Sequence, residues 1–91
     1  MQVRVQVNGE EYVARRNGPR AGGQTIPEYI ENGRAMARLA WFAGEPKHYY
    51  FNERQTDRVY FELNGIWWFI DTQELYNSLW NLEEARFVLV N

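Results

Sequence analysis

The sequence predicts an α+β fold: a small, mostly antiparallel sheet built from hairpins, with two short helices. Three observations carry this reading. Asn8-Gly9 and Asn64-Gly65 each stand between strand-like stretches, and Asn-Gly favours a two-residue type I′ hairpin because both central residues need positive φ. Ten of the fifteen aromatic residues fall between Trp41 and Phe69, most densely at the second hairpin. Two capping-box patterns, Thr25-Ile-Pro-Glu28 and Asp71-Thr-Gln-Glu74, mark helix starts.

The chain reads as a single domain, 1–91, with an N-terminal hairpin at 1–16, a glycine-rich loop at 17–24, and a helix, strands, a helix and a strand over 25–91. In the first hairpin Val3, Val5 and Val7 alternate with polar residues, and Tyr12 and Ala14 return on the valine face, which gives a strand pair with one buried side. The loop carries three glycines, Pro19 and Arg20 and leads into the first helix. A loop of this kind can hold an anion on free backbone N–H groups, or it can be a plain connector.

From Gly33 to Ala43 two readings stay open. Ala35 to Ala40 has high helix propensity and could prolong the first helix, whereas Asn32-Gly33 is a helix-stopping pair. If the helix stops there, Arg34 to Trp41 is a strand with Met36, Arg38 and Ala40 on one face and Ala35, Ala37, Leu39 and Trp41 on the other. A strand from Lys47 to about Glu53 follows, with Tyr49 and Phe51 on one side and His48 and Tyr50 on the other. Leu75, Tyr76, Leu79 and Trp80 form the apolar stripe of the second helix, and Arg86 to Val90 is a closing strand.

The second hairpin has a register fixed by its turn. Leu63 faces Ile66, Phe61 faces Trp68 and Val59 faces Ile70 on a core face; Glu62 faces Trp67, Tyr60 faces Phe69 and Arg58 faces Asp71 on the other. A face carrying Tyr60, Trp67 and Phe69 has to be covered by a helix of the same chain, by a second subunit or by a planar ligand. If the chain's own helices cover only the core face, self-association is the expectation.

Composition narrows the function. A net charge of −2 is too balanced to suggest duplex nucleic-acid binding. The lack of cysteine rules out disulfides, and no apolar run of membrane length is present. A soluble protein of the cytoplasm is therefore expected. Nine of the ten basic residues are arginine, the side chain that forks onto phosphate or carboxylate and stacks on planar groups. Catalysis has little support: the single histidine, His48, has no acid near it in sequence, so neither a metal site nor a catalytic triad is expected. The chain reads as a non-enzyme without a cofactor.

The order of a short helix, Gly33-Arg34-x-Met36-Ala37-Arg38-x-Ala40-Trp41, a turn with Gly44, and an aromatic strand resembles the opening of the Thoeris anti-defence sponge proteins of phages. The closing stretches, Asp71-Thr-Gln-Glu-Leu75 and Leu82 to Val90, are similar to that family's end. Ala40, Phe42-Ala43 and Arg86-Phe87 depart from its pattern. The resemblance favours the strand reading of Arg34 to Trp41. It implies a small α+β domain that assembles as a homo-oligomer and sequesters a cyclic nucleotide immune signal, unaltered, in the cytoplasm of an infected host cell.

Under that resemblance the ligand-binding residues are Arg34, Arg38, Trp41, Tyr60, Trp67 and Arg20. Trp41 with Trp67 or Tyr60 would form a platform for the base, and the arginines would grip the phosphates. Trp41 could equally be a core anchor, and Arg38 could form a surface or inter-subunit ion pair. The rival expectation is an anti-CRISPR-like phage inhibitor that docks its aromatic face on a host defence protein complex; the third is an interaction module with no antagonistic role. Arginines and tryptophans converging on one concavity would favour a nucleotide, and aromatics on a convex exposed patch would favour a protein.

Overall fold

Both Asn-Gly pairs form the turns expected of them. Asn8 and Gly9, and Asn64 and Gly65, all have positive φ, the requirement of a type I′ hairpin. The computed structural model describes residues 2–18 and 26–90; Arg20, most of the glycine-rich loop and the Thr25 cap lie outside the described residues. The elements in chain order are β1 (Gln2–Val7), β2 (Glu10–Asn17), α1 (Glu28–Glu31), β3 (Met36–Phe42), β4 (Glu45–Asn52), β5 (Gln55–Leu63), β6 (Ile66–Ile70), α2 (Gln73–Trp80) and β7 (Glu84–Val90).

The fold is not the open α+β sheet expected from the sequence. It is a closed barrel with strand order β1-β2-β6-β5-β4-β3-β7, and β7 returns to pair with β1. Strand makes up 61% of the described residues, and the two helices are short accessories. Parity explains one feature. Directions cannot alternate all the way round a ring of seven strands, so at least one junction must be parallel. That junction is β3 with β7; the other six are antiparallel. Closure also removes the exposed edges that an open sheet of this size would carry.

Alternation along each strand separates the barrel interior from its outside. The β5–β6 register is the one set by its turn, from Val59 opposite Ile70 to Leu63 opposite Ile66. Phe61, Trp68, Val59 and Ile70 point inward and are buried. The interior is filled by rings: Phe42 lies 4.8 Å from Phe87 and 5.6 Å from Phe61, and Tyr49 lies 5.8 Å from both Phe51 and Phe87. These separations suit offset or edge contacts between aromatic quadrupoles. The open choice at residues 33–43 resolves as a strand, because Gly33 takes φ +70 just beyond α1 and ends that helix.

The α2 helix buries Leu75, Tyr76 and Leu79 in the core, while Trp80 is partly exposed. Tyr76 Oη donates to the Asn52 carbonyl at 2.6 Å, which ties the helix to the end of β4. Thr72 occupies the N-cap position but makes no side-chain capping bond, so the capping box read from Asp71 to Glu74 does not form. Asp71 instead approaches Arg15 of β2 at 3.8 Å. Its expected cross-strand partner, Arg58, lies over the Phe69 ring at 4.2 Å and donates to Tyr60 Oη at 3.2 Å.

Two buried phenols give the barrel an alkaline limit. The hydroxyls of Tyr29 and Tyr49 are buried without hydrogen-bond partners among the described residues, and burial is the main cause raising both above the ordinary 10.0. The charge of Arg38 partly opposes the rise at Tyr49. Above the unfolded value the folded state binds more protons than the unfolded one. Their contribution to stability is thus fully present below pH 10.0 and is lost as pH rises toward the folded values. Ultraviolet titration should show a late class of tyrosines ionising together with loss of the circular dichroism signal. Ionisation of every tyrosine at the ordinary value, with the fold intact, would contradict this.

Candidate ligand-binding groove

The parallel junction builds a concavity that contains one expected ligand residue, Trp41. Ala40 and Phe42 fill the barrel, so Trp41 between them faces outward. Pairing places Trp41 beside Pro46 of β4 on one side and Arg86 of β7 on the other. Ala43 and Gly44, with φ 48 and 84, then turn the chain sharply back into β4. The result is a groove of about 410 Å³ whose walls include Trp41, Gly44, Glu84, Arg86 and Val88. That volume lies within the range of small-molecule sites.

Its polar groups are held from behind. Trp41 Nε1 donates to Glu84 Oε2 at 3.1 Å, which fixes the indole by its edge. The Arg86 N–H donates to Asn8 Oδ1 at 2.9 Å, and the Asn8 N–H donates to the Arg86 carbonyl at 2.8 Å. The first hairpin's turn therefore pins the backbone of Arg86 to β1. Among the described residues the Arg86 guanidinium has no ion-pair or hydrogen-bond partner. Val88, 52% exposed, continues the apolar wall. A pinned indole, an exposed aliphatic wall and an unpaired guanidinium suit a flat group carrying an anionic substituent.

The other expected ligand residues do not gather here. Tyr60 and Trp67 lie on the outer face of β5 and β6 and are only 4% and 6% exposed. Tyr29 of α1 stacks edge-on over Tyr60 at 5.8 Å, and Tyr50 of β4 lies 5.4 Å from Trp67. Tyr60 and Trp67 are thus buried within the chain, while Phe69 on the same face is half-buried. Arg38 points inward beneath the end of α2. Its Nη1 donates to the carbonyls of Leu79 at 3.3 Å and Trp80 at 2.8 Å and to that of Leu82, and its guanidinium lies 5.1 Å from the Phe51 ring. It neutralises the carbonyl-rich C-terminus of a helix, in place of the expected phosphate contact or ion pair. Arg34 borders a separate polar hollow, and Arg20 lies outside the described residues.

Compared with protein-family models, curated proteins and solved structures, the chain matches none. The groove's own chemistry therefore has to carry the functional reading. Sequence reading missed Glu84 and Arg86. The alternation of Glu84, Arg86 and Val88 against buried Ala85 and Phe87 was present, but only the non-local parallel register brings them to Trp41. No group of three or more potential metal-ligating side chains gathers among the described residues, and no described helix is long and apolar enough to cross a membrane.

Proposed function

We propose that this chain is a non-catalytic binding protein that holds a nucleotide-type ligand, a planar base bearing phosphate, in the Trp41 groove. The observation that carries this reading is the indole of Trp41, fixed by Glu84, beside the unpaired guanidinium of Arg86. The indole offers a stacking face and the guanidinium a forked donor for phosphate. Under the resemblance to Thoeris sponges the ligand is a cyclic nucleotide immune signal and the setting is the cytoplasm of an infected host. The closed barrel is not the α+β domain that the likeness implied, so groove chemistry weighs more here than likeness.

Titration of the purified protein with cyclic di- and trinucleotides and cyclic ADP-ribose isomers, followed by tryptophan fluorescence and calorimetry, tests the reading. Trp41→Ala should weaken binding by about 1–3 kcal/mol through lost stacking, and Arg86→Ala by about 1.5–3 kcal/mol through a lost charged contact. Both variants should unfold at nearly the wild-type temperature. The ligand should be recovered chemically intact. A cleaved product would point to an enzyme.

A second reading has its own observation. Val13 and Val88, 43% and 52% exposed, lie on the outer faces of β2 and β7, the two neighbours of β1. Exposed aliphatic side chains on the two convex strands that flank β1 suit a protein partner better than a small molecule. If no nucleotide binds, docking of a host defence protein on this side becomes the better account.

A further inference from the structure

The end of the barrel capped by α2 holds a second polar hollow, of about 430 Å³, bordered by Arg34, Asn52, Glu53 and Arg54. We propose that it is a receptor for a phosphate or diphosphate group, separate from the Trp41 groove and independent of the nucleotide reading. One of its walls is Asn52, 9% exposed and the sole buried residue outside the apolar and aromatic core among those described. A shift in register between Tyr50 and Asn52 breaks the β4–β5 ladder at this point, and such irregularities re-aim side chains.

Asn52 is held rigidly. Its Oδ1 accepts the backbone N–H groups of Arg54 at 3.0 Å and Gln55 at 3.1 Å, while its own carbonyl accepts Tyr76 Oη at 2.6 Å. Because backbone N–H groups can only donate, the atom facing them must be the amide oxygen. The two N–H donors of the amide are then the part of this side chain left for the hollow. Arg34 and Arg54 add two guanidiniums, and neither has a side-chain partner among the described residues. Glu53 is the one acidic wall. Its charge is felt by the Tyr76 hydroxyl on the α2 side, where it also borders a neighbouring hollow with Trp80. An amide whose oxygen is fixed by the turn, together with two guanidiniums on the same rim, favours a multiply charged oxyanion, onto which arginine forks.

Calorimetric titration with inorganic phosphate and pyrophosphate, at fixed ionic strength, tests the assignment. Pyrophosphate should bind more tightly than phosphate, and Arg34→Gln and Arg54→Gln should each weaken binding about tenfold, one charge-assisted contact apiece. Asn52→Asp keeps the acceptor for the turn but replaces the amide donors with a negative charge, so it should abolish binding. Glu53→Gln should tighten it. Lys47→Gln, at the opposite end of β4 from Asn52 and in neither groove, should leave it unchanged. Circular dichroism establishes that each variant is folded, and the two exposed arginine positions keep the test decisive if Asn52→Asp is not. Absence of pyrophosphate binding to the wild-type protein overturns the proposal. So does binding that survives loss of both arginines, or that falls as much with Lys47→Gln.

Discussion

Phe61→Ala is expected to destabilise the protein by about 3–5 kcal/mol. Phe61 is fully buried on β5, opposite Trp68, with its ring 5.6 Å from both Phe42 of β3 and Phe87 of β7. It thus spans the interior and joins strands that are not neighbours in the ring. Removing it leaves a cavity that the closed wall cannot collapse to fill, because each strand is hydrogen-bonded on both sides. A domain of this length has roughly 5–14 kcal/mol in all, so the loss should move the urea midpoint far down or prevent soluble expression. Val88→Ala, on the exposed outer face, should change stability by no more than about 0.5 kcal/mol. A Phe61→Ala midpoint equal to wild type would mean that this ring does not lie inside the barrel.

The difference between what local pattern fixed and what it left open follows from sequence distance. Asn8-Gly9 and Asn64-Gly65 specify turns through backbone sterics alone, and a two-residue turn sets the register of everything attached to it. Tyr12 and Ala14 accordingly lie opposite Val5 and Val3, and the whole β5–β6 ladder follows. Nothing comparable marks the joins of β1 with β7, β2 with β6, or β3 with β7, whose partners come from distant parts of the chain. An apolar strand face looks the same in an open sheet packed on helices as in a barrel packed on itself, so the hairpins were legible and their closure was not. The same gap hid the site. Trp41 stood out by residue type, whereas Glu84 and Arg86 became its neighbours only through a parallel pairing. Alternation from the Asn64-Gly65 turn puts Tyr60 and Trp67 on the outer face, but their neighbours there, Tyr29 of α1 and Tyr50 of β4, are tertiary.

Arg38 shows how a pattern can be read correctly and its meaning missed. The strand reading put it on the same side as Met36 and Ala40; an arginine on an inward face needs a buried acceptor, and the last carbonyls of α2 supply one. Arg38→Ala should therefore act on stability. It leaves the carbonyls of Leu79, Trp80 and Leu82 without this donor and removes the cation from the Phe51 ring. Hydrogen bonds to a charged group contribute about 1.5–3 kcal/mol, so a loss of about 3 kcal/mol is expected, with α2 amides exchanging faster than those of β5 and β6. Arg38→Lys should recover only part of it, because an ammonium cannot present the planar fork, and Arg38→Met should retain packing on Phe51 without the cap. Nucleotide binding in the Trp41 groove should persist in whatever fraction of each variant remains folded. If Arg38→Ala instead unfolds at the wild-type denaturant concentration and loses the ligand, the guanidinium serves the ligand rather than the helix, and the base platform has to be sought near α2.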